Sequence, residues 1–169
     1  MHRDSVDKNI STCTINNKNY ARVLFVLGTK NENYLENKKN MTEEERIFAG
    51  KLFDARTKEL RDIKHKTHEL CRKYNLMDEY DKARLPIVKE FIGSIGEKYY
   101  FQGPIQFNYG THTFIGNNFF ANFNLMVMDD ARIYIGDNVM FGPNVSLMAT
   151  NHPLIAKERI AMKYDDGHV

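Results

Sequence analysis

The sequence is short of three things. Across 169 residues it has two cysteines, Cys13 and Cys71, far apart and without the spacing of a metal site. That gives no sign of a disulfide framework and suggests a reducing compartment, the cytoplasm. It has little net charge, +2 with the histidines neutral, and so no electrostatic ground for binding nucleic acid or a membrane surface. It also lacks any apolar run long enough to cross a bilayer. The apolar island near the N-terminus, Val23-Leu24-Phe25-Val26-Leu27, is too short and too far in for a secretory signal. What is present, 42% hydrophobic and 27% charged residues, is the composition of one globular domain with room for an appendage.

Three zones follow one another. Residues 1–40 are rich in Asn and Lys, as in "NNKNY" and "NENYLENKKN", and this composition favours a disordered extension. The competing reading is a strand around Val23–Leu27 that docks on the body. Met41 could itself be the natural start. Thr42 and Glu45 then form a capping box at a helix start, opening a helical segment over residues 41–96. Leu60, Ile63, Thr67, Leu70 and Tyr74 form one helical stripe, and Leu85, Val88, Ile92 and Ile95 a second that begins at Pro86. His65 and His68 lie three apart on a polar side between lysines, with no third ligand nearby; a solvated face is expected there, not a metal site.

Over residues 97–169 the period changes. Apolar residues return every six positions at 109, 115, 121 and 127, with companions at 113, 119 and 125. The register slips by two and resumes at Ile135, Phe141 and Leu147. Six residues per strand and turn, three strands per triangular coil, is a parallel β-helix. Glycines at 110, 116, 136 and 142 suit corners where a side chain would collide or φ must be positive. Asp129 and Asp130 bridge the slip, and His112 inside a unit is expected to be solvated. The array closes on "LMATNHPL", where His152 precedes Pro153. Proline pushes the preceding residue toward extended backbone. From these residues alone, a surface histidine in an exit loop remains the simpler reading of His152, and Asn122 cannot be told from Asn124.

The blocks "MTEEERIFAGKLFDA", "ELCRKYN", "SIGEKYYFQGPIQFNYG", "IGNNFFANFN", "DDARIYIGDNVMFGPNVSLMATNHPL" and "KERI" together resemble the maltose and galactoside O-acetyltransferases and their nodulation-protein relatives, within the hexapeptide-repeat acyltransferases. The resemblance runs from about Met41 to Val169. It implies a mainly β protein: a left-handed β-helix, here incomplete, behind an α-helical N-terminal segment, with the handedness an exception to the crossover rule. It also implies a cytoplasmic homotrimer that transfers acetyl from acetyl-coenzyme A to a sugar hydroxyl at sites between neighbouring subunits, without a metal. By the same resemblance His152 is the catalytic base and Asn122 stands near the reacting groups. Asp130, Asp54 and Asn108 contact the acceptor sugar. Phe120, where the galactoside enzymes have tyrosine, leans toward maltose or glucose.

The chemistry suits these residue types. A sugar hydroxyl must lose its proton as it attacks a thioester, and a neutral imidazole is the best base available near neutral pH. An Asn amide can meet the oxyanion, and a carboxylate can orient vicinal hydroxyls. The resemblance puts most of the coenzyme A groove in later coils. Only about two and a half turns run from Tyr109 to His152, fewer than the three or so that repeat stacks need. The expectation is a partial chain that by itself neither binds acetyl-coenzyme A well nor turns over. The alternatives are a non-catalytic β-helix module that associates with a full-length partner, and a metal-dependent hydratase on the same scaffold. The hydratase would need three converging histidines, and only His112 and His152 lie in the repeats.

Overall fold

The computed structural model describes residues 41–152, 154–156 and 159, and the backbone of 10–17 and 21–29. Pro153 and residues 160–169 lie outside the described residues. The capping box forms: the Glu45 N–H donates to Thr42 Oγ1 at 3.1 Å and the Thr42 N–H to Glu45 Oε2 at 2.9 Å. It opens α1, Glu43–Phe48. Helix α2 is Lys58–Leu76 and buries Leu60, Thr67, Cys71 and Tyr74, largely the expected stripe. The second expected helix is a single 3-10 segment, Leu85–Glu90, with Pro86 at its start.

Nine short strands then wind three coils. The first is β3 (Ser94–Ile95), β4 (Tyr99–Phe101) and β5 (Ile105–Phe107). The second is β6 (Thr113–Ile115), β7 (Phe119–Ala121) and β8 (Leu125–Met128). The third is β9 (Arg132–Ile135), β10 (Met140–Phe141) and β11 (Ser146–Met148). Each strand pairs in parallel with its counterpart in the next coil, giving the faces β3-β6-β9, β4-β7-β10 and β5-β8-β11. Partners are always twenty residues apart, as in Tyr99↔Phe119, Ile105↔Leu125 and Ile115↔Ile135. The coil therefore begins at Ser94, fifteen residues before the start expected from Tyr109. Ile95 belongs to it and not to a helix: its three-residue spacing from Ile92 imitated a helical stripe. Three turns are present, not two and a half.

Constant offset means constant columns. Phe101, Ala121 and Phe141 stack large on small on large, and Phe107, Val127 and Leu147 form another column. Because alternate strand residues point inward, the interior is apolar without a separate layer to cover it.

The open end of the first coil is closed by α2 and the segment after it, through side chains that bond the exposed strand backbone. Asn75 receives the Ile105 N–H and donates to its carbonyl, both at 2.8 Å. Thr67 donates to Tyr109 O at 2.7 Å, Arg84 to Gln102 O at 2.8 Å, and the Tyr74 hydroxyl to Phe101 O. These contacts satisfy groups that an uncovered edge would leave open.

At the other end residues 10–17 and 21–29 are strands, where the composition of residues 1–40 favoured disorder. Strands β1 (Ile10–Asn17) and β2 (Ala21–Thr29) form an antiparallel pair. β2 pairs antiparallel with β9, Val23 opposite Ile135 and Val26 opposite Arg132. The docked-strand reading of Val23–Leu27 is the one found. β9 presents a backbone edge, and the run "RVLFVL" has the branched and aromatic residues that pair there.

At the corners, positive φ falls on Asn118, Asn124, Asn138 and Asn144, near 60° in each. Gly116 is needed instead for close approach: a Cβ there would lie 2.8 Å from the backbone of Gly136 and Asp137 in the next coil. The asparagines also pair between coils, Asn118 Nδ2 to Asn138 Oδ1 at 2.9 Å and Asn124 Nδ2 to Asn144 Oδ1 at 3.0 Å. Asn138→Ala is expected to lower stability by about 1–2 kcal/mol, since a Cβ residue without an amide resists this backbone region. Asn138→Gly should lower it distinctly less. Urea unfolding of the two variants checks this, and equal losses would assign the effect to the side-chain bond.

Candidate active site

One corner of the prism differs from the other two. Successive inward positions are six residues apart at two corners, but eight apart from Phe107 to Ile115 and from Val127 to Ile135. The two extra residues recur at the same place in both coils, giving the segments 108–112 and 128–131. There the strict alternation of strand residues fails, and polar side chains turn into buried space.

Asp129 is fully buried; its Oδ1 accepts the Tyr109 N–H and its Oδ2 the Thr113 hydroxyl, both at 2.8 Å. It staples one coil's corner to the next. Asp130 is 7% exposed. Its Oδ1 accepts from Asn108 Nδ2 at 3.3 Å, and its buried Oδ2 has no hydrogen-bond partner among the described residues. Burial pushes the Asp130 carboxyl up, and the neighbouring Asp129 charge adds to this, while Lys64 and the Asn108 amide oppose it. Burial likewise pushes Asp129 up against the bonds it receives. The Tyr109 hydroxyl, also buried, is a second polar atom without a partner among the described residues, and burial pushes that phenol well up.

His152 belongs to the same corner one coil on. β11 lies over β8 with Met148 opposite Met128, and the Ala149 N–H donates to Met128 O at 2.9 Å. Thr150, Asn151 and His152 follow that bond, beyond the end of β11. The His152 side chain is exposed, and the backbone N–H of the residue donates to Asn151 Oδ1 at 2.9 Å. Asn108 and Asp130 thus meet at one corner, and His152 lies four residues past the end of β11.

Asp54 approaches from the helical segment. Its carboxylate accepts from Arg56 Nε at 2.8 Å, Arg56 Nη2 at 3.0 Å and the Arg56 N–H at 2.9 Å. Its own N–H donates to Glu43 Oε2 of α1 at 2.6 Å. Asn122 is elsewhere. It sits at the corner between β7 and β8, the length of β8 away, about 13 Å at ~3.3 Å per residue. Its Oδ1 accepts the Phe123 N–H at 2.8 Å, so Nδ2 is the group it offers to a ligand. One protomer does not bring Asn122 beside His152.

His112 corrects the expectation of a solvated side chain. It is 2% exposed, with Nδ1 2.9 Å from both Asp129 O and Asp130 O and Nε2 3.0 Å from Glu44 Oε1. The two-residue excess folds it beneath α1. Sequence reasoning missed His112, Glu44 and Tyr109 as members of this corner. The missed signal was the eight-residue step from 107 to 115, the twin of the slip already visible at 127–135. His65 and His68 are exposed as expected. Beside Asn108 a groove of about 470 Å³ runs between α2 and the outer face of β5 and β8, with Arg72, Gln106, Met126 and Met128 on its walls. Among the described residues no cluster of three or more His, Cys, Asp or Glu could hold a metal ion, and no helix is long and apolar enough to cross a membrane.

The coils, the offset and the helical plug define a hexapeptide-repeat β-helix, and comparison with known proteins agrees. Residues 46–96, the segment that closes the first coil, match the family model of the maltose acetyltransferase hexapeptide capping motif. A second model, of stage II sporulation protein P, matches residues 1–52, a stretch holding none of the five candidate residues. The galactoside O-acetyltransferase of Escherichia coli is 40% identical over 116 residues, 68% of this chain and 57% of that protein. The crystal structure of a maltose O-acetyltransferase from Clostridium difficile superposes with a TM-score of 0.69 at 34% identity, over 72% of this chain and 65% of that one. A hexapeptide-repeat acetyltransferase of Vibrio cholerae, solved with acetyl coenzyme A, gives 0.65 at 30% identity over 73% and 67%. The chain belongs to the maltose and galactoside O-acetyltransferase family of hexapeptide-repeat acyltransferases, and its β-helix is of their left-handed kind. It spans a little over half the length of the E. coli relative.

The buried, half-bonded Asp130 has a consequence for stability. Its carboxyl is raised in the folded state, so just above the ordinary aspartate value, about 3.9, the folded protein keeps a proton that the unfolded chain has released. Stability therefore falls as pH rises through that interval. Asp130→Asn should lessen this fall, the raised Asp129 keeping its own share, and gain about 1–2 kcal/mol at neutral pH, because a neutral amide costs less to bury than a carboxylate. Urea unfolding of both proteins between about pH 4 and 7 tests it; a variant less stable at pH 7 would contradict it.

Proposed function

We propose that the protein containing these residues is a cytoplasmic O-acetyltransferase that moves acetyl from acetyl-coenzyme A to a hydroxyl of a maltose-, glucose- or galactoside-type sugar. What supports this reading is an exposed imidazole just past β11, the strand stacked on β8, together with a buried carboxylate just past β8, one oxygen of which has no partner among the described residues. His152 takes the proton of the sugar hydroxyl as that oxygen bonds to the acetyl carbonyl carbon, and returns it to the thiolate released when the C–S bond breaks. Asp130, through Oδ2, and Asn108 and Asp54 receive or donate hydrogen bonds to the sugar, fixing which hydroxyl faces the base. The groove beside Asn108 is of ordinary ligand-site size and leaves room for the rest of the acceptor. Exposure of Thr150, Asn151 and His152 leaves the thioester room on the open side of the ring.

Asn122 enters as an oxyanion donor through Nδ2. Since it lies a strand's length from the His152 corner of its own protomer, it must come from a second copy, and a homotrimer with sites between subunits is the proposed assembly. The coenzyme-binding residues are not assigned.

In the full reading frame that carries these 169 residues, His152→Ala should lower kcat/KM by about 10²–10⁴-fold, the usual share of a general base. The oligomer seen by gel filtration should be unchanged. Coenzyme A release with maltose, glucose and a galactoside as acceptors reads it. A variant within a few-fold of the unsubstituted enzyme refutes the role of His152. No transfer by the unsubstituted enzyme to any of the three sugars leaves the non-catalytic module as the better reading.

A further inference from the structure

His112 is buried in a setting made of acceptors. Nδ1 faces two backbone carbonyls, Asp129 O and Asp130 O, each at 2.9 Å. Carbonyls only accept, so Nδ1 carries a proton. Nε2 faces Glu44 Oε1 at 3.0 Å. A carboxylate and an imine lone pair cannot bond without a hydrogen, so a second proton lies between them. The ring is held flat on Tyr109, centroids 4.7 Å apart, and edge-on to Phe48 at 4.8 Å, which leaves it no other orientation. The other charges around it are turned elsewhere. Arg132 lies over the Phe48 ring, Lys64 near the Tyr109 ring, and the Asp129 and Asp130 carboxylates bond Tyr109, Thr113 and Asn108.

Helix α1 carries two adjacent glutamates with separate partners. Glu44 meets His112, and Glu43 receives the Asp54 N–H at 2.6 Å. From these contacts we infer that His112 is a positioning residue, which latches α1 to the Asp129–Asp130 corner through the proton shared with Glu44 and so sets Asp54 against Asp130. The latch rests on the proposed acceptor site for its function, but its mechanics do not. It is closed while Nε2 and Glu44 Oε1 share that hydrogen bond.

The test has two arms. In this chain, amide exchange corrected for intrinsic rates reports protection of residues 43–54 in the unsubstituted protein and in variants of the contact. Glu44→Ala should lower that protection about tenfold, the order of one charge-assisted hydrogen bond to a part-exposed partner. Glu44→Gln should keep most of it, because its amide can donate to or accept from Nε2. His112→Leu should be as poorly protected as Glu44→Ala; if it fails to fold, the two Glu44 variants carry the arm alone. A Glu44→Ala protein protected like the unsubstituted one, or a Glu44→Gln protein no better protected than Glu44→Ala, overturns the latch.

In the second arm, Glu44→Ala in the full reading frame should raise the KM for the sugar about tenfold and leave that for acetyl-coenzyme A unchanged. Equal effects on both overturn the positioning of Asp54. If the unsubstituted frame transfers nothing, the acetyltransferase reading fails, and the first arm still decides the latch.

Discussion

The constraint on which the rest depends is the twenty-residue coil. Each inward side chain must rest on the residue twenty places before it and support the one twenty places after. Phe101 and Phe141 can be large because Ala121 between them is small, a local form of the volume matching that close-packed interiors require. The same offset brings Asn108 and Asp130, which follow β5 and the end of β8, to one corner, where Asp130 Oδ1 accepts from Asn108 Nδ2.

A stack of parallel strands leaves two open ends, and each is met differently. At the first coil, α2 approaches with Thr67, Tyr74 and Asn75 pointed at backbone groups that would otherwise lack partners. Asn75 imitates a strand residue by both donating and accepting. This explains why an amphipathic helix here buries a threonine, a tyrosine and a half-buried asparagine on a face where leucine would serve a plain core. On the third coil, β2 takes the free edge of β9 in the antiparallel sense. A parallel ladder demands a crossover connection, whereas an incoming N-terminal hairpin can meet the edge directly.

Much of this was legible in the sequence and some was not, for reasons that can be named. The six-residue period announced the β-helix, because inward residues recur by geometry and not by identity. The capping box at Thr42 and Glu45 was equally plain, being local. The first coil was hidden because Ile92 and Ile95 stand three apart, a spacing shared by helices and by chance. The N-terminal pair was obscured by composition: flanking Asn and Lys outweighed a five-residue island whose stability comes from a partner strand more than a hundred residues away. Asn122 could be placed on the array but not beside its proposed partner, since the distance that separates them lies along a strand. The buried members of the corner were invisible because insertion of two residues changes which side chains face inward, and no average over the repeat records that.

The two histidines of the repeat region make the same point about chemistry. His112 and His152 are forty residues apart, the first between β5 and β6 and the second past β11. One is enclosed by Tyr109, Phe48, two carbonyls and a glutamate; the other is open to solvent beside a turn. A base must be able to give up and regain its proton and to touch a substrate, and only an uncovered ring can do both. A residue that fixes distances must be unable to rotate, and packing on two rings ensures that. Asp129 and Asp130 divide in the same way. The first has both oxygens bonded within the corner, and so is committed to structure; the second keeps one oxygen buried without a bond, a cost that a fold tolerates most readily where a ligand supplies the missing donor.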